Sequence, residues 1–220
     1  DSGKLFEARL AYSRALLTGG LSDGEEKRIK NALLEINEVL VFSPTLTPDS
    51  VIYTIKERDS LIKIAKKHNT TVGLIRMVNK ISGDTVFPGQ ELKVIKTPVR
   101  ILVERESFRL NVFLGKNWLK EYTVSIGAEQ ATPTGSFTVT SKLINPDWCR
   151  PGKPTIPHDD ERNILGTRWI GLSKKGYGIH GTTTPGSIGQ AVTKGCVRMK
   201  NSDVEEISEL VKVGTEVEIR

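Results

Sequence analysis

The spacing of apolar residues changes three times along the chain. Over residues 4 to 18, Phe6, Ala8, Leu10, Ala11 and Ala15 recur at helical intervals, and Gly19-Gly20 ends the pattern with the flexibility a helix C-terminus favours. A second helix is expected after Ser22-Asp-Gly-Glu25, which has capping-box spacing, because Ile29, Leu33, Ile36 and Leu40 then line one face. The two read as an antiparallel hairpin over residues 1–43, whose apolar stripe is expected to pack on another part of the chain. Ser43-Pro44-Thr-Leu-Thr-Pro48 resists both helix and ladder pairing, so residues 44–50 read as a linker.

Between residues 51 and 97 strand and helix periods alternate. Val51 to Ile55 has strand character, and Asp59-Ser60 offers a cap to a helix through Leu61, Ile64 and Ala65. Thr70 or Thr71 opens another helix through Leu74, Ile75 and Val78. The turn Phe87-Pro88-Gly89-Gln90 leads into a strand from Glu91 to Ile95, so the unit is βααβ with a small core. His68, at the end of the first of these helices, is expected to be a solvated partner of the helix dipole.

From Pro98 the period becomes two. Ile101 and Val103, then Leu110, Val112 and Leu114, then Tyr122, Val124 and Ile126 alternate with polar residues, with hairpin turns expected at Glu106-Ser107 and Gly115-Lys116. After a strand from Ser136 to Thr140, the segment from Ser141 to Gly166 is irregular and rich in Pro and Gly. It reads as a substrate-facing flap carrying Trp148 and His158. A strand with Trp169 and Leu172 follows. Ser202-Asp-Val-Glu205 repeats the capping-box spacing before a helix with Val204, Ile207 and Val211 on its inner face, and a strand from Thr215 to Ile219 ends the chain. The fold class expected is multidomain α+β, with a mostly antiparallel β-sandwich over residues 98–220.

Composition narrows the function classes. With 37% hydrophobic and 26% charged residues the chain is globular, and no apolar run is long enough to span a membrane. The net charge of +6 belongs to residues 51 to 100, where ten Lys and Arg face four Asp and Glu. No aromatic residues interleave with them as in nucleic-acid binders, so a solvated face is expected, with an anionic envelope polymer as the alternative partner. The two cysteines, Cys149 and Cys196, are expected to be reduced, Cys149 partly buried in a loop. No ligand spacing supports a metal site, and no cofactor is expected. The chain starts at Asp1 without an initiator Met or signal peptide, so a preceding stretch is expected to have been removed.

The densest chemistry lies in His180-Gly181, a loop, and Thr193-Lys194-Gly195-Cys196-Val197-Arg198. A strand, a loop of fifteen residues and a second strand can bring an imidazole beside a thiol, the arrangement a Cys-His nucleophile pair needs. The charges of Lys194 and Arg198 would lower the thiol pKa, and Gly195 would let backbone N–H groups approach an oxyanion. The plainer alternative is a buried structural Cys beside an unrelated His.

These residues, with Thr132-Pro133-Thr134-Gly135, Asn163-Ile164-Leu165-Gly166 and Arg168-Trp169-Ile170-Gly171-Leu172 upstream, resemble the signature of L,D-transpeptidase catalytic domains of the YkuD type. Lys194 stands where many members carry a second His, and Ile164 where proline is common. Tyr53-Thr54-Ile55, Asp59-Ser60-Leu61, Ile64-Ala65, Asn79 and Pro88-Gly89-Gln90-Glu91-Leu92 resemble a LysM module, with Arg58 in place of the usual glycine. The resemblances imply a cell-wall enzyme outside the cytoplasm, in the wall or periplasm, with peptidoglycan stems and glycan strands as partners. Cys196 would be the nucleophile forming an acyl-enzyme and a 3-3 crosslink, and His180 the base, oriented by the Gly181 carbonyl. The Gly195 and Cys196 N–H groups would hold the oxyanion. Arg198, Thr193, Lys194 and Trp148 would contact the stem, and Asp59, Ser60, Leu61, Ser82, Gly83 and Asp84 the glycan. Hydrolysis of the same bond by an L,D-carboxypeptidase and a non-catalytic wall anchor are the alternatives. The cysteine peptidases of the NlpC/P60 class place Cys before His, the reverse of the order here.

Overall fold

The computed structural model describes residues 2–150 and 152–220. The chain divides into two compact units, one made of residues 1–99 with 112–120, the other of residues 100–111 with 121–220.

The first unit starts with helices α1 (Ser2–Thr18) and α2 (Asp23–Leu40). The capping box predicted at Ser22 forms: its hydroxyl accepts from Glu25 N–H while the Glu25 carboxylate takes the Ser22 N–H at 2.9 Å. The inner face of α1 differs from expectation, because Leu10 is 39% exposed while Arg9 and Ser13 are buried. An apolar count cannot anticipate this, since each polar group is buried with its own partner. Arg9 Nη1 donates to Asp49 Oδ2 at 2.6 Å, and Asp49 Oδ1 accepts from the Thr97 hydroxyl at 2.9 Å. Burial pulls the guanidinium below its usual range, with the Asp49 charge opposing. Ser13 Oγ accepts from Trp118 N–H at 3.0 Å, and Asn37 Nδ2 donates to the Trp118 and Leu119 carbonyls at 3.1 Å each.

The βααβ order is as expected: β1 (Ser50–Thr54), α3 (Leu61–Lys67), α4 (Val72–Asn79) and β2 (Glu91–Ile95), the strands pairing antiparallel from Ser50↔Ile95 to Thr54↔Glu91. Ser60 caps α3 and Thr71 caps α4 through their hydroxyls. Ile55, Leu61, Ile64, Ala65, Ile75, Leu92 and Val94 form the core. From β2, the 1%-exposed Lys93 sends its ammonium to the carbonyls of Leu40 at 2.6 Å and Ser43 at 2.9 Å, and so supplies donors that the end of α2 lacks. Burial and the neighbouring Arg9 charge lower its pKa to about 8. His68 is not the solvated dipole partner expected: its ring meets Tyr53 edge-on at 5.4 Å, and burial lowers its pKa.

The second unit is built on β3 (Val99–Glu104), β4 (Arg109–Leu114), β5 (Asn117–Thr123), β6 (Ile126–Gly127), β7 (Gly135–Ile144), β8 (Arg168–Leu172), β9 (Gly178–His180), β10 (Ala191–Thr193), β11 (Val197–Arg198), α5 (Asn201–Leu210) and β12 (Glu216–Ile219). The tip of the β4–β5 hairpin belongs to the first unit. The mostly antiparallel β-sandwich expected from the sequence is not what forms. Eight strands make one mixed sheet in the order β11-β9-β8-β7-β12-β3-β4-β5, and β6 and β10 make a separate parallel pair. The C-terminal strand β12 inserts between β3 and β7, parallel to the first and antiparallel to the second. Alternation reports which face of a strand is buried but carries no information about partners, so the mixed order was invisible. The strand β7 also runs to Ile144, taking four residues assigned to the irregular segment.

Candidate active site

Three neighbouring strands place the functional side chains. β9 pairs antiparallel with β8 and parallel with β11, in registers that set Trp169 and Arg198 opposite His180. Side chains of paired residues share a face, and Cys196, two residues before Arg198, falls on that same face by alternation. The Trp169 indole is half-buried and stacks on the His180 ring at 5.9 Å and 21°. The six-membered edge of that indole lies across Gly178. Cys196 thus shares a face with His180 but falls level with Gly178, two residues along β9, while Arg198 and Trp169 flank the imidazole directly.

His180 is 3% exposed, and its Nδ1 donates to the Gly181 carbonyl at 2.7 Å. A carbonyl can only accept, so the neutral ring carries its proton on Nδ1 and leaves the Nε2 lone pair as the base. Burial lowers the His180 pKa to about 4; the Arg198 charge acts the same way, and the carbonyls of Gly181 and Leu165 oppose it. The Gly181 strand end is held by a residue the sequence reading did not single out. Asn201 Oδ1 accepts from Thr182 N–H at 2.9 Å and Thr167 N–H at 3.3 Å. Asn201 begins α5; the capping box expected at Ser202 is absent, because the Ser202 hydroxyl turns to Asp203.

Cys196 is partly exposed, and its sulfur lies 3.7 Å from the Gly176 carbonyl. Burial raises the thiol pKa, while a hydrogen bond from Gly178 N–H and the Arg198 charge lower it. This corrects the expectation of a thiol activated by two cations: burial dominates, and Lys194, whose side chain is exposed, does not contribute. Thr193, expected to touch substrate, spends its hydroxyl within the turn. It accepts from Gly195 N–H at 3.1 Å and donates to the Cys196 carbonyl at 2.6 Å. The Gly195 N–H, expected to hold an oxyanion, is therefore committed in the resting structure. Gly195 itself is needed for conformation: its φ is +123°, and a Cβ would lie 2.6 Å from the Tyr177 ring.

Arg198 reaches Ser187 Oγ at 3.1 Å and forms no ion pair among the described residues. Burial lowers its pKa. Trp148 lies in the segment between β7 and β8, bridged by backbone hydrogen bonds of 2.8 and 3.1 Å to Ile156 and stacked under Arg150 at 4.6 Å. Asn163, 3% exposed, organises that segment by donating to the carbonyls of Pro146, Ile156 and Pro157. His158 and Cys149 are exposed, the latter against expectation.

The residues expected to contact glycan divide in two. Asp59 accepts from the Tyr53 hydroxyl at 2.8 Å and Lys56 N–H at 2.9 Å, Ser60 caps α3, and Leu61 is 1% exposed in the core. Arg58 takes the left-handed turn usually given to glycine, at φ 64°. Ser82, Gly83 and Asp84 are exposed, with Asp84 3.4 Å from Arg76.

The L,D-transpeptidase catalytic domain model of YkuD type matches residues 98–219. This chain belongs to that family. The LysM domain model matches residues 53–94. The chain is 33% identical to the L,D-transpeptidase YkuD of Bacillus licheniformis over 177 residues, covering 77% of this chain and 98% of that protein. It is 33% identical to the YkuD protein of Bacillus subtilis over 174 residues, covering 76% and 97%. A solved L,D-transpeptidase of Mycobacterium tuberculosis superposes over 62% of this chain and 74% of its own, with a TM-score of 0.48 and 14% identity. An L,D-transpeptidase domain and a LysM domain in one chain place the enzyme's work on the cell wall.

Proposed function

We propose that this L,D-transpeptidase acts through an acyl-enzyme on Cys196 and joins peptidoglycan stems by 3-3 crosslinks. The donor is a stem tetrapeptide. Nε2 of His180 takes the thiol proton as the sulfur attacks the carbonyl of the third residue, and the proton passes to the leaving amine as D-alanine departs. The side-chain amine of a second stem then attacks the thioester, gives its proton to His180, and restores the thiol. The observation that carries this reading is the shared face of Cys196 and His180, with the imidazole locked by Gly181 in the tautomer a base requires. Arg198, half-buried without a carboxylate partner, supports a role in binding a stem carboxylate. Trp148 and the segment around it would close over the stem.

Within the division 1–43, 44–50, 51–97 and 98–220, the third segment would bind glycan through the exposed loop at Ser82 to Asp84 and the backbone around Ser60. Such binding would hold the catalytic domain on the wall outside the cytoplasm. Among the described residues no helix is long and apolar enough to cross a membrane.

The test is covalent. A carbapenem should add its mass to the wild-type chain and none to Cys196→Ala. Incubation of a tetrapeptide stem with a diamino acceptor should release D-alanine and yield a crosslinked product. Release of D-alanine with only tripeptide formed would make the enzyme a carboxypeptidase, and absence of any adduct on the wild type would leave a wall anchor.

A further inference from the structure

Beneath the nucleophile turn lies a buried hydroxyl with no part in the reaction as described so far. Thr132 is 1% exposed; its Oγ1 accepts from Gly127 N–H at 2.7 Å and donates to the Gly195 carbonyl at 3.0 Å. In a trans peptide the carbonyl and the following N–H point in opposite directions. Holding Gly195 O toward Thr132 therefore aims the Cys196 N–H away from it. The Thr193 hydroxyl occupies Gly195 N–H and the Cys196 carbonyl. Two threonines together engage three of the four backbone groups around the Gly195–Cys196 peptide, and none of the described residues accepts from the fourth.

We propose that Thr132 is a positioning residue that sets the aim of the Cys196 N–H as the oxyanion donor. The inference rests on the acyl-transfer reading, since only a carbonyl substrate develops an oxyanion.

Thr132 is itself firmly placed. Its carbonyl accepts from Arg105 Nη1 at 3.0 Å. The loop leading to it, Ala128–Gln130, turns tightly enough to put Glu129 and Gln130 at φ 49° and 59°, a conformation non-glycine residues hold only when their surroundings impose it. Contact with the nucleophile turn is close, because a Cβ on Gly127 would lie 2.7 Å from Thr132 N and 2.9 Å from Gly195 Cα. A loop bent at such cost against the peptide that precedes the nucleophile fits a positioning duty better than a filling one.

Two reactions at the same sulfur separate aim from nucleophilicity. Alkylation by iodoacetamide displaces iodide and forms no oxyanion, whereas acylation by a carbapenem passes through one. In a Cys149→Ser background, Thr132→Val should slow acylation roughly tenfold or more while alkylation changes little, and Thr132→Ser should restore acylation. Equal acylation by wild type and Thr132→Val overturns the inference alone, and so does a parallel fall in both rates, which would mark a merely structural residue. A wild type that is alkylated but never acylated overturns the acyl-transfer reading and this inference with it. Should Thr132→Val fail to fold, amide exchange in the wild type decides: Gly127 and Gly195 protected with Cys196 exchanging freely supports the inference, and a protected Cys196 amide overturns it.

Discussion

Raising the pH should activate the Cys196 sulfur late, without help from an imidazolium. Burial is the largest influence on the thiol and raises its pKa, outweighing the Gly178 N–H and the Arg198 charge. The same burial leaves His180 at about 4. At pH 7 such a ring is protonated in about one molecule in a thousand, and a thiol above its ordinary value of about 8.5 yields less than about 3% thiolate. The resting pair is therefore thiol and neutral imidazole, and the proton moves only as a bound carbonyl is attacked. The assay is the rate of iodoacetamide alkylation across about pH 5 to 10, read by intact mass in a Cys149→Ser background because Cys149 is exposed. The rate should climb about tenfold per pH unit from about pH 6 to beyond 8.5, with no plateau on the way. Arg198→Met should displace the curve to higher pH, since it removes a charge that favours the thiolate. A plateau already present at about pH 6 to 7 would mean a preformed thiolate–imidazolium pair and refute the claim that burial governs this site.

The depressed His180 pKa also has a consequence for stability. Between its ordinary 6.5 and about 4 the unfolded chain binds the proton that the folded chain refuses, so stability is complete above about 6.5 and falls by up to about 3 kcal/mol as the pH drops through that window. His180→Gln should flatten that part of a plot of urea midpoint against pH, and an unchanged acid limb would show that the loss arises elsewhere. In the first unit, Lys93→Met deprives the Leu40 and Ser43 carbonyls of their donor and should cost about 2 kcal/mol at pH 7, measured by chemical denaturation. A neutral or stabilising result would mean that the cost of burying the ammonium cancels what it gives to α2.

What could be read in advance was whatever leaves a local trace. Ser22, Ser60 and Thr71 announce their helices because a cap and the residues it serves are three or four apart. Cys196 and His180 stood out because few side chains can act as nucleophile and base, and the register now sets both on one face. Arg9, Asn37 and Lys93 were not legible. Each is polar, each is buried, and each answers a group tens of residues away: Asp49, the Trp118 and Leu119 carbonyls, and the end of α2. A period computed on apolar residues treats them as solvent-facing by construction of the pattern itself.

The same limit explains which parts of the site were missed. β9 has three residues and β11 two, too few to display a period, so their register with β8 could not be inferred and Trp169 could not be set against His180. Thr132, Asn163 and Asn201 act through backbone groups, at sequence separations of 63 residues for Thr132 to Gly195 and 19 for Asn201 to Thr182. Such residues bear no reactive chemistry of their own; Thr132 and Asn163 lie in motifs that carry the family resemblance, but those motifs assign them no role, and Asn201 lies in none. Yet Thr132 holds the Gly195 carbonyl before Cys196, Asn201 holds the Thr182 N–H after His180, and Asn163 ties down the segment between β7 and β8. The division of labour is consistent across this site. The groups that can react are few and chemically conspicuous, while the groups that aim them are ordinary hydroxyls and amides, conspicuous only once the chain has brought them underneath.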